Sequence, residues 1–425
     1  MNASPMSRDR EGAPSPRQSA SPSMRTATVR ERSGVPLLLT LLYNCAFVCS
    51  QTAKTLAAKN SPPHQSRDRQ GAISQHARST TSVCGLPHCG AANPGCAPAF
   101  SRRSTLTALT LTLLALLSSS CAPYANFTLP PVVGGDPATT LRWESNPAPV
   151  ITRGQFADAL NPSVAGATNL YSVFDGKTWH TALATTQDGH QWAPQGIVLS
   201  PDPRTWEADY IAANGSLLAH GREFLYWYQA GPRGAHRIGL ARSPDARTWR
   251  KQPAPVLDHG PLGAWDERVV ADPYVIQIDR YFYMYYLGQD RAARQRLGLA
   301  RSLDGVHWEK LRANPILELG GPGAFDEAGL GEPAVWQSHG FYWMLYTGRD
   351  TKEYRRLGLA RSLDGVHWNP IPAVFSGAES WDSKVICDPT VVVEGDRIHV
   401  WFGGGDVASP DENLHGQIGF ATLVK

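Results

Sequence analysis

The chain has 425 residues, of which 42% are hydrophobic and 18% are charged. This composition is sufficient for a large core, and a single all-β domain can reach about 300 residues. The formal net charge of +3 is too small to indicate a protein that binds nucleic acid or acidic lipid surfaces. We therefore expect no nucleic-acid partner.

Residues 1–100 do not have the pattern of a folded domain. They are rich in Ser, Arg, Pro, Ala and Gln and show no sustained helical or strand period. The cysteines in this segment match no zinc motif, because paired C-x-x-C units are missing. They are Cys45, Cys49, Cys84, Cys89 and Cys96. The segment is predicted to be a disordered or mis-started leader, and we expect neither a metal site nor a cofactor.

Residues 101–121 are predicted to be a lipoprotein-type signal peptide. Arg102 and Arg103 precede the uncharged apolar stretch 106–117, and three serines then lead to Cys121. A basic segment, a short apolar run and small residues are typical of a secretory signal, and the cysteine directly after it resembles a bacterial lipobox. We expect export to the bacterial cell envelope, periplasm or exterior, with a lipid on Cys121 as the only membrane attachment.

After a predicted linker at 122–140, residues 141–425 contain an internal repeat of about 60 residues. One motif, with the sequence [Ile/Leu]-Gly-Leu-Ala-Arg-Ser, occurs at Ile238–Ser243, Leu297–Ser302 and Leu357–Ser362. Ile418–Ala421 is a shorter copy, and Thr181–Ala184 is a degraded first copy. Such a fixed period is the signature of a repeat architecture.

Each motif leads into an Asp-containing turn that ends in Trp, as in Ser302–Trp308 and Ser362–Trp368. The Asp can accept backbone N–H bonds, and the Gly of the turn permits a positive φ. The Trp should bury its ring against a neighbouring sheet. We interpret these turn residues as structural.

Strand pairs rich in aromatic and β-branched residues precede each motif, and a fourth strand follows each Trp. Four strands per repeat predict an all-β, five-bladed β-propeller of four-stranded antiparallel blades. The last repeat ends after its third strand, and the segment Trp143–Ile151 resembles a fourth strand. We expect it to pair with Ile418–Leu423 and so close the ring with an N-terminal strand.

Polar residues recur at the predicted starts of the innermost strands, which line the axis of a propeller. Three of them are acidic and precede proline: Asp272, Glu332 and Asp388. Asn161 and Asn214 take the same place in the first two repeats. The repeat symmetry therefore predicts that the three carboxyl groups converge in one axial funnel.

An aromatic–acid pair precedes each of these acids at a constant interval: Trp265-Asp266, Phe325-Asp326 and Trp381-Asp382. The aromatic rings suit the faces of sugars, and we expect Trp265, Phe325 and Trp381 to bind substrate. The three aspartates of these pairs are interpreted as structural. Asp209, which follows a looser copy of the pair at Trp206-Glu207, is a further candidate for substrate binding.

Converging carboxyl groups suit the cleavage of a glycosidic bond. One carboxylic acid protonates the leaving oxygen, and a second carboxylate acts as base or nucleophile. Crowding raises the pKa of one group and keeps it protonated near neutral pH. An oligo- or polysaccharide is therefore the expected partner, and we expect a monomer.

The Ala-Arg-Ser-x-Asp-Gly-x-x-Trp motif and the Trp-Asp and Asp-Pro elements resemble the five-bladed glycoside hydrolases of families 43 and 32 and their relatives. The resemblance covers residues 140–425. It implies a base or nucleophile Asp, a helper Asp and an acidic Glu on three successive blades. Asp272 and Glu332 then match helper and acid.

The blade before Asp272 carries Asn214 where the base is expected. If the count begins at the first blade, Asn161 takes the base position and Asn214 the helper position. Either register lacks one carboxylate, for which Asp388 or Asp209 could compensate.

The leading interpretation is a glycosidase with Glu332 as acid, and two alternatives remain open. One is a catalytically silent sugar-binding propeller. The other is a glycoside phosphorylase, for which Arg268, Arg349 and His236 are candidate phosphate ligands.

Overall fold

A computed structural model describes residues 124–425, so the predicted leader, the signal peptide and Cys121 lie outside the described residues. Within this range the chain forms strands, turns and loops and no helix, as the all-β prediction requires. No helix in the described part is long and apolar enough to cross a membrane.

The strands from β3 to β18 form four sets of consecutive antiparallel strands. The first set contains β3 (Asp158–Ala165), β4 (Thr168–Phe174), β5 (Trp179–Thr186) and β6 (Trp192–Leu199), and the second contains β7 (Ala212–His220), β8 (Glu223–Ala230), β9 (Arg237–Ser243) and β10 (Arg250–Lys251). The third set contains β11 (Val269–Ile278), β12 (Tyr281–Gln289), β13 (Gln295–Ser302) and β14 (Trp308–Leu311). The fourth set contains β15 (Gly329–Ser338), β16 (Phe341–Arg349), β17 (Arg355–Ser362) and β18 (Asn369–Phe375).

The last set combines strands that are far apart in the sequence. It contains β19 (Val385–Glu394), β20 (Arg397–Gly405), β21 (Gln417–Val424) and β2 (Arg142–Ser145). Trp143 pairs with Leu423, and Ile151 forms a bridge with Ile418. The pairing predicted between these two segments is therefore present. A single parallel bridge, Arg355 with Val385, connects this set to β17.

The segment before β2, which the sequence assigned to a linker, packs against the sheets. β1 (Tyr124–Ala125) pairs in parallel with β14. Leu129 is buried, and its amide donates to the carbonyl of Asp364 at 2.9 Å. The segment follows the sheets because it buries apolar side chains that would otherwise be exposed to water.

The Asp turns have the structure that their sequence predicts. Asp304 Oδ1 accepts the amides of Val306 and His307, both at 2.8 Å. Trp308 then donates from Nε1 to the carbonyl of Gly305 at 3.0 Å and packs edge-on against Trp227, with ring centroids 6.1 Å apart. The turn Trp thus belongs to the contact between neighbouring sets, which confirms its structural role.

The glycine of the repeated motif makes room for the aromatic ring of the aromatic–acid pair. A Cβ added to Gly298 would lie only 2.4 Å from the ring of Trp265. Gly358 has the same relation to Phe325, and Gly419 to Trp381. The two sequence signals are therefore the two sides of one contact.

The acid that follows the ring is also structural, as predicted. Asp266 is fully buried and accepts from Lys310 Nζ at 2.6 Å and from Tyr286 Oη at 3.1 Å. Lys310 is itself nearly buried, with 4% exposure. Breaking a buried ion pair leaves an uncompensated charge in a medium of low polarity.

We expect Lys310→Met to lower the free energy of unfolding by about 3–5 kcal/mol, since it leaves Asp266 buried without its cation. Arg142→Met removes an exposed pair with Glu144, at 2.7 Å, and should change stability by less than about 1 kcal/mol. Urea denaturation followed by Trp fluorescence measures both. Equal losses in the two variants would contradict the structural importance of the buried pair.

Candidate active site

The five polar residues predicted at the axis share an unusual backbone conformation. All five have a positive φ: Asn161 50°, Asn214 48°, Asp272 47°, Glu332 46° and Asp388 52°. Apart from glycine, Asn and Asp enter this left-handed region most readily, whereas Glu adopts it rarely, so the conformation is most strained at Glu332. Strain of this kind is retained where surrounding structure imposes it, and it clusters at functional sites.

Each of the five residues lies at a β-bulge. The pairing of β11 with β12, for example, shifts register between Ala271 and Tyr274, and the other four inner strands shift at the equivalent place. The sequence placed these residues at strand starts, whereas they lie within β3, β7, β11, β15 and β19. The bulge interrupts the ladder and re-aims one side chain, while pairing continues on both sides.

Hydrogen bonds connect these residues across the sets. The amide of Asn161 donates to Asp388 Oδ2 at 3.3 Å, and Asn214 Nδ2 donates to Asp272 Oδ1 at 3.5 Å. Ser172 Oγ donates to Asn214 Oδ1 at 2.9 Å. The residues predicted to converge from repeat symmetry are therefore brought together.

All five residues line a cavity of about 290 Å³. A second space of about 30 Å³ also touches all five, and it is bounded by the residues that follow them, such as Pro273 and Pro389. The axial residues therefore form the floor of the larger cavity. Asp388 is buried, whereas Asp272 and Glu332 keep intermediate exposure.

The carboxyl groups at the floor perturb one another. Burial, and then the charge of Glu332, raise the pKa of Asp272 to about 8. Burial and the charge of Glu332 also raise the pKa of Asp388 well above its usual value. Crowded carboxyl groups cannot all ionise, so the cluster retains protons near neutral pH.

The wall of the cavity carries basic side chains from loops and strand ends. Arg233, Arg349, Arg355 and His236 line it, whereas Arg268 is not among the lining residues. Sequence reasoning had named Arg349 and His236 but had missed Arg233 and Arg355. Arg355 begins β17 three residues before the motif glycine, at the position that His236 and Gln295 take in earlier sets. Those two residues also line the cavity, so this repeated position is a signal that could have found Arg355. Arg233 lies in a loop and has no such repeated position.

Trp265, Phe325, Trp381 and Asp209 do not line the cavity. The three rings pack on strand glycines, and Trp381 Nε1 donates to the carbonyl of Pro147 at 3.0 Å. Asp209 is exposed, and its carbonyl accepts from Thr178 Oγ1 at 3.1 Å. Within residues 124–425, no group of three or more His, Cys, Asp or Glu side chains is arranged to hold a metal ion.

The raised pKa of Asp272 has a consequence for stability. The folded state keeps a proton on Asp272 up to about pH 8, while the unfolded chain loses it near pH 4. The folded state therefore binds more protons between these values, and its stability falls as the pH rises through this window.

We expect Asp272→Asn to raise the free energy of unfolding at pH 9 relative to the wild type and to flatten its decline between about pH 4 and 8. Denaturation in urea at pH 5, 7 and 9 measures this. Asp245→Asn, in the equivalent turn of the second set, should leave the slope over this window unchanged, because Asp245 lies outside the cavity and accepts from backbone amides and Ser243 but from no His. A wild-type stability that rises from pH 5 to 9 would contradict the proposed protonation of the cluster.

Comparison with known proteins finds a family model and a curated relative that match parts of this chain. The model of the glycosyl hydrolases family 32 N-terminal domain matches residues 168–316. An uncharacterized protein of Mycobacterium tuberculosis is 28% identical over 158 residues, which are 35% of this chain and 52% of the relative. The chain thus spans about half of the length of the curated relatives that it matches.

Solved structures share the fold. A protein described as a glycoside hydrolase is 18% identical, with a TM-score of 0.52, and the match covers 70% of this chain and 92% of that protein. The β-1,2-mannobiose phosphorylase of Listeria innocua is 12% identical, with a TM-score of 0.53 and coverage of 66% and 96%. The family 32 model thus matches one segment of this chain, and the solved structures share its fold.

Proposed function

We propose that this protein cleaves a glycosidic bond of an oligo- or polysaccharide in the cavity, at the axis of a closed five-bladed propeller. The observation that carries the proposal is the convergence of Asp272, Glu332 and Asp388 on one cavity floor. Their left-handed backbone positions them there at a cost in conformational energy.

Contacts between the sets support a closed ring. The inner strands contact one another in the order β3, β7, β11, β15, β19 and back to β3. Trp192 of the first set packs edge-on against Trp401 of the last, with centroids 6.0 Å apart. Trp308 and Trp227 make the same contact between the third and second sets. Each set is accordingly proposed to be one blade.

The carboxyl cluster has the groups that glycoside cleavage needs. One carboxyl must hold a proton for the leaving oxygen, and another must be ionised to activate water or attack the sugar. Asp272 holds a proton near neutral pH, because burial and then the neighbouring Glu332 raise its pKa to about 8. We propose that these two residues share one proton and act as a pair. In this proposal Glu332 does not act alone as the acid.

Glu332 has an oxygen free for substrate. Its Oε2 is buried and has no hydrogen-bond partner in the described part of the chain. Asp388 Oδ2, in contrast, accepts from the amide of Asn161 and from Cys387 Sγ at 3.0 Å. Glu332 is therefore the better candidate for direct contact with the glycosidic oxygen or the anomeric carbon. Asp388 is assigned a supporting role beside it.

A catalytically silent sugar-binding propeller is the second candidate. The observation that favours it is the presence of Asn161 and Asn214 at two of the five axial positions. An amide can hydrogen-bond a sugar hydroxyl but cannot act as a general base at neutral pH.

We expect Glu332→Gln to reduce turnover about 10²–10⁴-fold, since it removes an ionisable oxygen and keeps the shape of the side chain. Asp272→Asn should also impair turnover, because it removes the shared proton. The assay is release of reducing sugar from a panel of pentose, hexose and fructose oligosaccharides, with and without inorganic phosphate. Phosphate is included because a phosphorylase would require it.

Asp304→Asn is the control, since its turn lies outside the cavity, and it should retain wild-type turnover. Calorimetry with Glu332→Gln should show sugar binding close to that of the wild type. Full activity of Glu332→Gln would refute its catalytic role. Binding of sugars by the wild type without turnover of any would favour the silent propeller.

We propose further that the protein is exported and lipidated at Cys121, on the basis of the signal-like sequence before it. Metabolic labelling with a palmitate analogue should mark the wild type and Cys96→Ser, and Cys121→Ser should remain unlabelled. Equal labelling of Cys121→Ser would end this proposal.

A further inference from the structure

The cavity wall contains polar atoms that no described residue satisfies. Gln229 is 5% exposed, and its Oε1 has no hydrogen-bond partner. His236 Nε2 and Arg349 Nε are likewise buried atoms without a hydrogen-bond partner. All three side chains line the cavity. Buried polar atoms without partners are costly, so their presence together indicates a ligand with matching groups.

The tautomer of His236 is fixed by its neighbour. Gln229 Nε2 donates to His236 Nδ1 at 2.7 Å, so the neutral ring carries its proton on Nε2. Burial, and then the positive charge of Arg233, lower the pKa of His236 to about 4. His236 therefore offers a neutral N–H donor to the cavity, and Gln229 offers an acceptor. Both suit sugar hydroxyl groups.

Arg349 offers a charged donor on an open edge. Its Nη1 donates to Glu353 and its Nη2 to Gln295 Oε1, both at 3.0 Å, which leaves Nε. Gly329 lines the cavity beside it, and a Cβ there would lie 2.6 Å from Gln295 Oε1 and 3.4 Å from Nε and Nη2 of Arg349, so it would displace the partner of Nη2 as well as cover the edge. The absence of a side chain at Gly329 keeps this edge of the guanidinium open.

One arginine of the wall has no carboxylate partner. Arg233 pairs with Asp411 and Glu412, and Arg349 pairs with Glu353. Arg355 donates to the carbonyls of Ser409 and Pro410, and no carboxylate of the described residues lies within ion-pair distance of it. Asp272 and Asp388 at the floor hold protons near neutral pH because burial raises their pKa. Arg355 is therefore the cation of the wall that remains available to a negatively charged group of a ligand.

We propose that the substrate is a sugar acid whose carboxylate binds Arg349 at its open Nε edge, under the charge of Arg355, while His236 and Gln229 bind neutral hydroxyl groups. This inference rests on the proposed carbohydrate function and names its substrate class. A guanidinium–carboxylate hydrogen bond is charge-assisted and directional, which makes it selective.

The test measures binding by calorimetry and needs no turnover. Oligosaccharides of glucuronic, galacturonic and mannuronic acid are compared with their methyl esters, which keep the size and lose the charge. We expect one acid to bind at least about tenfold more tightly than its ester. Arg349→Gln and Gly329→Ala should remove this preference, the second because its Cβ covers the edge of Arg349.

Arg242→Gln is the matched control. Arg242 pairs with Glu223, and its side chain is 22% exposed, against 19% for Arg349, but it does not line the cavity. It should keep the preference for the acid, and His236→Gln should weaken acid and ester equally. The midpoint of thermal unfolding of each variant shows that it is folded.

Equal binding of acid and ester by the wild type would overturn the sugar-acid assignment and leave the carbohydrate function standing. Inorganic phosphate that displaces the sugar acid with equal or higher affinity would assign the basic wall to phosphate instead. Failure to bind any acid, ester or neutral parent sugar would overturn both proposals.

Discussion

The contact between an aromatic ring and a strand glycine determines much of this domain. Trp265 lies so close to Gly298 that no other residue fits there, and Phe325 and Trp381 repeat the contact in later sets. Each ring is followed by a buried acid that anchors the same loop, as Asp266 does through Lys310. The acid stands six residues before the axial residue, and the inner strand begins three residues before it, as β11 does at Val269. The position of each axial side chain therefore depends on the docking of a ring that never touches the cavity.

The axial bulges place the polar side chains of the site on this scaffold. An ordinary strand would alternate its side chains between the two faces of the sheet, whereas the left-handed residue at each bulge is directed to the common floor. Strand pairing on both sides of each bulge offsets the conformational energy of the left-handed residues. Three of them are acids, so the geometry that gathers them also raises the pKa values of Asp272 and Asp388. The bulges therefore account for both the backbone conformation and the raised pKa values at the floor of the cavity.

The repeat made the strand pairing, the Asp turns and the convergence of Asp272, Glu332 and Asp388 predictable, because each depends on a fixed spacing along the chain. The positions of Trp265, Phe325 and Trp381 were not predictable in the same way. A period shows that three rings are equivalent but does not show whether they face a ligand or a glycine. Arg233 was missed since it reaches the cavity from a connection between strands. Arg355 stands at a repeated strand position, where earlier sets have His236 and Gln295, but the side chain there changes from set to set. A search for identical residues at a fixed spacing does not find such a position.

The pairing of β2 with β21 has a consequence for how the chain is made. Trp143 stacks on Phe375 at 5.2 Å and contacts Phe402 at 5.3 Å, yet both partners are synthesised long after it. During synthesis the indole of Trp143 therefore stays uncovered until nearly the whole domain has been translated. Contacts of such long sequence separation form slowly. The pairing of β2 with β21 can thus form only after the last of the described strands has been synthesised.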